Sequence, residues 1–283
     1  MLKPNRILRL KSRLLELKEP LVMGILNITP DSFHDGGKFL ALDDAVNQAE
    51  KMLQEGADII DVGGMSSRPG SAILEAEEEQ IRILSVIEAI AHRFPEAIIS
   101  VDTVYGSTAE RAVEKGACMV NDISAGAIDS QMFASIAKLQ VPYVLMHMKG
   151  LPQNMQHAPT YDDPVDEVID FLQERLRKLR QLGVTDVLID PGFGFGKSLA
   201  DNFEIMNRLP EFQILDCPIL LGISRKSMIY KMLDSDAANA LNGTSALHMA
   251  ALMKGAEILR VHDVREAVEV IQLHTALSNS KDS

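Results

Sequence analysis

The chain has 283 residues, 46% of them hydrophobic, which is enough for a substantial buried core. A formal net charge of -12 argues against nucleic acid or an anionic membrane surface as a bulk partner, so an anionic substrate would need a locally basic pocket. Only two cysteines are present, Cys118 and Cys217, each in or beside an apolar run. They argue against a disulfide framework and fit a reducing, cytoplasmic compartment, and no apolar run approaches the length of a membrane span.

Residues 1–20 are basic but contain Glu16 and Glu19 and lack a continuous apolar core. They are expected to form a lid over one end of the fold, a hairpin pairing 6–10 with 13–17 around a turn at Lys11 and Ser12. The apolar run 21–28 follows as a strand, with Asn27 near its carboxyl end, and breaks at Thr29-Pro30-Asp31. Ala45, Ala49, Met52 and Leu53 recur at helical spacing across 42–55, and Gly56 ends that helix. A second strand, 58–62, carries Asp61.

This phrase of strand, loop, helix, glycine and strand repeats. Gly56, Gly116, Gly183 and Gly255 each close a helical pattern just before a new apolar run. Further helices are predicted over 75–93, 107–115, 130–139, 164–181, 200–208, 238–253 and 264–277. Strands are predicted over 97–101, 119–120, 143–146, 187–189, 219–221 and 257–261. Their apolar character is continuous rather than alternating, which indicates strands buried on both faces of a parallel sheet. Eight such units predict a (β/α)8 TIM barrel in a single domain over 1–283, with the hairpin closing its bottom; an open doubly wound sheet is the alternative.

The stretch 187–198, VLIDPGFGFGKS, delivers an acid, Asp190, from a buried strand into a glycine-rich loop. It is not a phosphate-cradling P-loop, because Pro191 stands where the first glycine of that motif belongs. The glycines are expected to let the backbone approach a flat ligand, with Phe193 and Phe195 offering aromatic faces. Polar residues close the other strands as well: Asn27, Asp61, Asp102, Asn121, His147, Ser224, and Arg260 with His262. If the sheet closes, these side chains converge on one rim, where barrel enzymes keep their active sites. The carboxylates suit a ring that bears N–H donors or a developing cation, and Asn121 can both donate and accept. Arg68, Lys226, Arg260 and His262 supply positive charge for a carboxylate or pyrophosphate. The rim is therefore expected to have an acid floor and a basic margin. His147 between Met146 and Met148 reads as a packing residue rather than a metal ligand, and two cysteines are too few for a zinc cluster.

Together these motifs resemble the dihydropteroate synthase family. The matching stretches are MGILN with TPDSF from Met23, DVGG with SSRPG from Asp61, SVDT from Ser100, NDI from Asn121, MHM from Met146, DPGFGFGK from Asp190, GISRKS from Gly222 and RVHDV from Arg260. The resemblance implies a transferase that joins p-aminobenzoate to 6-hydroxymethyl-7,8-dihydropterin pyrophosphate. It implies a pterin pocket of Asp102, Asn121, Met146, Asp190, Gly222 and Lys226, with Asp102, Asp190, Lys226 and Arg260 catalytic. Pyrophosphate would fall to Asn27, Ser67, Arg68, Arg260 and His262, with Mg2+ on Asn27. The p-aminobenzoate contacts would be Phe33, Ser67, Pro69, Phe193, Lys226 and Ser227, and a homodimer is implied. Met65 stands where the family usually has Glu, Ser67 where it has Thr, and His34 where it has Ser. A pterin-dependent methyltransferase on the same barrel, or a pterin-binding protein without turnover, are the competing readings.

Overall fold

The computed structural model describes residues 6–11, 13–28, 38–65, 73–150, 155 and 159–280, with backbone alone at 38–41. Phe33, His34, Ser67, Arg68 and Pro69 lie outside the described residues. The expected hairpin is present: β1 (Ile7–Leu10) pairs antiparallel with β2 (Arg13–Glu16), opposing Leu8 to Leu15.

Eight parallel strands follow, β3 (Leu21–Asn27), β4 (Ile59–Gly63), β5 (Ile98–Asp102), β6 (Met119–Asp122), β7 (Tyr143–Met146), β8 (Val187–Asp190), β9 (Leu220–Leu221) and β10 (Ile258–Val261). Their order is β8-β7-β6-β5-β4-β3-β10-β9, and a parallel bridge between Ile189 and Ile219 joins the two ends, closing the barrel. The helices between them are α1 (Lys38–Gln54), α2 (Ala76–Arg93), α3 (Gly106–Glu114), α4 (Met132–Leu139), α5 (Pro164–Gln181), α6 (Leu199–Asn207), α7 (Ser227–Tyr230), α8 (Leu241–Met253) and α9 (Val264–Asn279).

Local chemistry explains most boundaries. Asp163 caps α5, accepting from the backbone N–H groups of Val165 at 2.8 Å and Asp166 at 3.0 Å, with Pro164 at the first turn. Ser198 and Asp201 form a reciprocal capping box on α6. Two features depart from the sequence reading. A 3-10 turn, Leu209–Leu215, with Pro210 in its first turn, lies between α6 and β9. α8 begins only at Leu241, because the Asp236 carboxylate accepts from the backbone N–H of Asn239 at 3.0 Å and holds a turn there.

Strand parity divides the core in two. Val22, Ile60, Val101, Val120, Leu145, Ile189, Leu221 and Leu259 face outward into the layer shared with the helices. Their inward neighbours Met23, Ile59, Ile98, Met119, Val144, Leu188, Leu220 and Ile258, one from each strand, meet Leu8, Leu10 and Leu17 of the hairpin segment. This second cluster plugs the amino-terminal end of the barrel, so the hairpin is its apolar stopper.

Candidate active site

Because side chains alternate along a strand, the next inward residues above that plug are Asp61, Ser100, Asn121, Met146, Asp190 and Arg260. One further step brings Asn27, Asp102 and His262 to the carboxyl end. Asp61 is fully buried, and its Oδ2 accepts from Asn121 Nδ2 at 2.9 Å and from Arg260 Nε at 2.6 Å. A second guanidinium nitrogen of Arg260 donates to Asp102 Oδ2 at 2.6 Å. Asp61, Asp102, Asn121 and Arg260, carried on four different strands, thus form one connected network. Asp61 Oδ1 has no hydrogen-bond partner among the described residues.

The electrostatics follow from burial. Desolvation pushes the Asp102 carboxyl up to about 7, aided by Asp61, Glu79 and Asp122 and opposed by Arg260. Burial alone would lower Arg260, but Asp61 and Asp102 beside it leave its guanidinium held above its ordinary value. The expected separation into an acid floor and a basic margin therefore does not hold for Arg260. It sits between two acids, because its place on β10 puts it in the same inward layer as Asp61.

Asp190 stands across the mouth. Its Oδ1 accepts from the backbone N–H of Gly192 at 2.7 Å, and burial raises its pKa against the pull of Lys226. Lys226 Nζ donates to the carbonyl of Phe193 at 2.5 Å and lies 4.3 Å from the centre of the Phe195 ring. Burial lowers Lys226 to about 8, Asp190 opposing and Arg260 reinforcing. A Cβ on Gly222 would stand 3.6 Å from Asp190 Oδ2 and 4.0 Å from Lys226 Nζ, so the glycine keeps the ground between acid and amine open. The neighbouring Arg225 is bound to Asp263 at 2.8 and 2.7 Å, which leaves Lys226 as the cation of this turn that faces the mouth. Ser227, half-buried, opens α7. His262 is exposed, with its Nδ1 3.1 Å from Ser224 Oγ.

An apolar wall completes the mouth: Val104, Ile123, Met146, Met155 and Phe195, with Met65 and Met148 packed on them. Met65 thus contributes apolar surface where the family pattern has a charge. The wall also corrects one expectation. Phe193 is 1% exposed and belongs to the outer core with the helices, while Phe195 joins the mouth cluster and carries Lys226 over its face. Phe195 is the aromatic neighbour of the site, and Phe193 contributes only its carbonyl.

Two glycines of this loop have a further purpose. Gly192 and Gly196 have φ of 72° and 63°, and a Cβ on them would meet the carbonyl oxygens of His147 at 1.8 Å and Lys149 at 2.1 Å. They allow the β8 loop to lie against the backbone after β7. His147, counted among the strand-tip residues, faces away from the acids. Its ring packs edge-on to Phe171 at 4.9 Å, and burial first and Lys197 second lower its pKa to about 2. The reading of His147 as a packing residue therefore stands.

Asn27 is exposed at the end of β3. Its Oδ1 is 3.3 Å and Asp102 Oδ2 3.5 Å from the point a Gly63 Cβ would occupy, so amide and carboxylate oxygens flank the same glycine. This oxygen donor set suits a hard cation. No group of three His, Cys, Asp or Glu residues among the described residues could hold a metal alone, so substrate oxygens and water would have to complete its coordination.

A sequence profile described as pterin binding enzyme matches residues 23–262. The dihydropteroate synthase of Escherichia coli (strain K12) is 45% identical over 271 residues, covering 95% of each chain. This chain belongs to the dihydropteroate synthase family. Its fold agrees with that of the Yersinia pestis dihydropteroate synthase crystallised with a sulfonamide drug complex, at a TM-score of 0.90 and 40% identity, covering 97% of this chain and 100% of that one. The Xanthomonas albilineans dihydropteroate synthase in complex with 7,8-dihydropteroate matches at a TM-score of 0.86 and 38% identity, covering 96% and 99%. The pterin binding enzyme profile runs from Met23, in the plug, to His262, at the rim.

Proposed function

We infer that this chain is a transferase of folate biosynthesis that condenses 6-hydroxymethyl-7,8-dihydropterin pyrophosphate with p-aminobenzoate to give 7,8-dihydropteroate and pyrophosphate. The observation that carries this reading is the convergence of Asp61, Asp102, Asn121 and Asp190 with Arg260 and Lys226 at one barrel mouth. The kinship is consistent with it: structures of the Xanthomonas albilineans relative are described with 4-aminobenzoic acid and with 7,8-dihydropteroate. A methyltransferase would share the carboxylates but has no departing diphosphate to occupy Arg260 and His262.

In this reading the amine nitrogen attacks the pterin methylene carbon. The bond from that carbon to the pyrophosphate oxygen breaks, its electron pair leaving on the pyrophosphate, and the nitrogen gives up a proton to solvent water. Early departure of pyrophosphate leaves positive charge that the electron-rich pterin shares, and ionised Asp102 and Asp190 stabilise it. Asn121, fixed by Asp61, recognises the ring edge, and Met146 packs on the ring. Arg260 and His262, with Ser67 and Arg68 from the segment between β4 and α2, receive the diphosphate. Mg2+, when bound, would neutralise diphosphate charge, and Asn27 is the residue that would hold it. Phe195, Lys226 and Ser227 take the p-aminobenzoate side, completed by Phe33, Ser67 and Pro69. No covalent nucleophile is required.

The test is pyrophosphate release from the pterin pyrophosphate, with and without p-aminobenzoate. Release should depend on the amine; release that ignores it, or none with both substrates, overturns the reading. We place the reaction in a reducing, cytoplasmic compartment, since Cys118 and Cys217 are both free thiols. A homodimer through the exposed apolar side chains of α8 and α9, Met253, Leu273 and Leu277, is also proposed, and a monomer in sedimentation would refute it.

A further inference from the structure

Behind the mouth, between the backbones that follow β7 and β8, lies a buried cation that the reaction above does not use. Lys197 is 3% exposed. Its Nζ donates to the carbonyls of Gly192 at 2.8 Å and Phe195 at 3.2 Å, and lies 2.8 Å from His147 Nδ1 and 3.5 Å from the His147 carbonyl. Taking an ammonium out of water is costly, so its retention here requires that carbonyls and an imidazole replace the lost hydration. Burial, partly offset by Asp190, brings Lys197 down to about 7, while neighbouring His147 is held neutral and so can accept on its ring nitrogen.

Those acceptors belong to the two ends of the glycine loop and to the end of β7, so one side chain draws the loop into a closed curve. α6 holds the same loop from the other side: Asn202 Oδ1 accepts from the backbone N–H of Gly194 at 2.7 Å, and its Nδ2 donates to the Ser198 carbonyl at 2.6 Å. What the loop offers the mouth is specific. The Phe193 carbonyl holds Lys226 Nζ, the Phe195 ring lies beneath it, and a Cβ on Gly194 would be 3.3 Å from Lys226 Cδ. Asp61, Asp102 and Asn121 on the pterin side, in contrast, are held by strand neighbours and Arg260, and only Asp190, through the Gly192 N–H, touches the loop.

We propose that Lys197 is a positioning residue for the aromatic amine, tying Gly192, Phe195 and His147 together so that the Phe195 face and the Lys226 ammonium are set for p-aminobenzoate. The proposal rests on the assignment of p-aminobenzoate to that side of the mouth. Loosening the loop disturbs the amine subsite most, while Asp61, Asp102 and Asn121 of the pterin pocket keep their places.

Steady-state kinetics of Lys197→Met against wild type test this, with both substrates varied. KM for p-aminobenzoate should rise about tenfold while KM for the pterin pyrophosphate moves less than about twofold. Lys197→Gln, which keeps a donor, should recover part of the loss. A purely structural role would lower the active fraction and leave both constants alone, and that result, or an equal rise in both, overturns the proposal. If Lys197→Met does not fold, Asn202→Ala loosens the same loop from α6 and must give the same split on a smaller scale; no split there also overturns it. Phe195→Ala, run in parallel, separates the two layers of the argument. An unchanged KM for p-aminobenzoate in that variant removes the amine's placement and the proposal with it. A raised value there with none in Lys197→Met removes Lys197 alone.

Discussion

At the amino-terminal end of the barrel, Met23, Ile59, Met119, Leu188 and Ile258 pack on Leu8 and Leu10 of the hairpin; two to four residues further along those strands stand Asn27, Asp61, Asn121, Asp190 and Arg260. The strands and their parity are the same, and only the side chains change. The plug removes apolar surface from water and makes no polar demand, so it contributes stability. The mouth does the reverse. Burial raises Asp102 and Asp190 and lowers Lys226, and Asp61 keeps one oxygen unpartnered among the described residues, so the fold holds these groups in states that water would not favour. Stability resides at one end and chemistry at the other, and substitutions at the two ends should dissociate.

The largest effect is expected at the mouth. Asp190→Asn should reduce kcat/KM for the pterin pyrophosphate by about a hundredfold or more, as for removal of a group that stabilises developing charge. Its melting temperature should hold, since Asn removes a charge that burial disfavours. Near-normal kinetics would take Asp190 out of the site. The mirror experiment is Ile59→Ala in the plug. It should cost about 3 kcal/mol in urea unfolding through the cavity left behind, with both KM values unchanged in the folded fraction. A shifted KM would show that the plug and the mouth are not separable. A smaller effect is expected from Lys226→Ala, which touches the pterin side through Asp190 and the amine side through Phe195. Both Michaelis constants should rise about tenfold, equivalent to about 1.4 kcal/mol each, and unchanged values would argue that Lys226 only braces the loop.

How far the sequence reveals this arrangement depends on whether a residue lies on a strand. Eight apolar runs separated by helical patterns, four of them closed by glycine, are enough for the barrel, and a period of two assigns Asp61, Asn121, Asp190 and Arg260 to its interior. Grouped by charge, Arg260 falls on a basic margin. Grouped by strand position it belongs with Asp61, so that part was legible. The glycine loop has no period, and nothing in GFGFGK tells which phenylalanine turns to the mouth. Lys197 was equally hidden, because it is satisfied by backbone carbonyls, which leave no pattern in side-chain identity. His147 shares the strand-tip position of the acids, yet it lies one residue out of step with Met146 and so faces the opposite way.

The dissociation extends to pH. Asp102 titrates near about 7 in the free enzyme and must be ionised to stabilise positive charge, so kcat/KM for the pterin pyrophosphate should rise as pH passes upward through that value. Lys226 loses its proton near about 8, so the same parameter should fall above it. The product is a narrow bell, whose rising limb belongs to Asp102 and whose falling limb belongs to Lys226. Asp102→Asn should lower the rate and abolish the rising limb, leaving only the descent. Ile59→Ala, which alters the plug and not the network, should reproduce the wild-type bell at reduced stability. A profile that is flat between about pH 6 and 9 in the wild type would mean that neither group changes charge in the working range. The two ends of the barrel would then differ in packing alone.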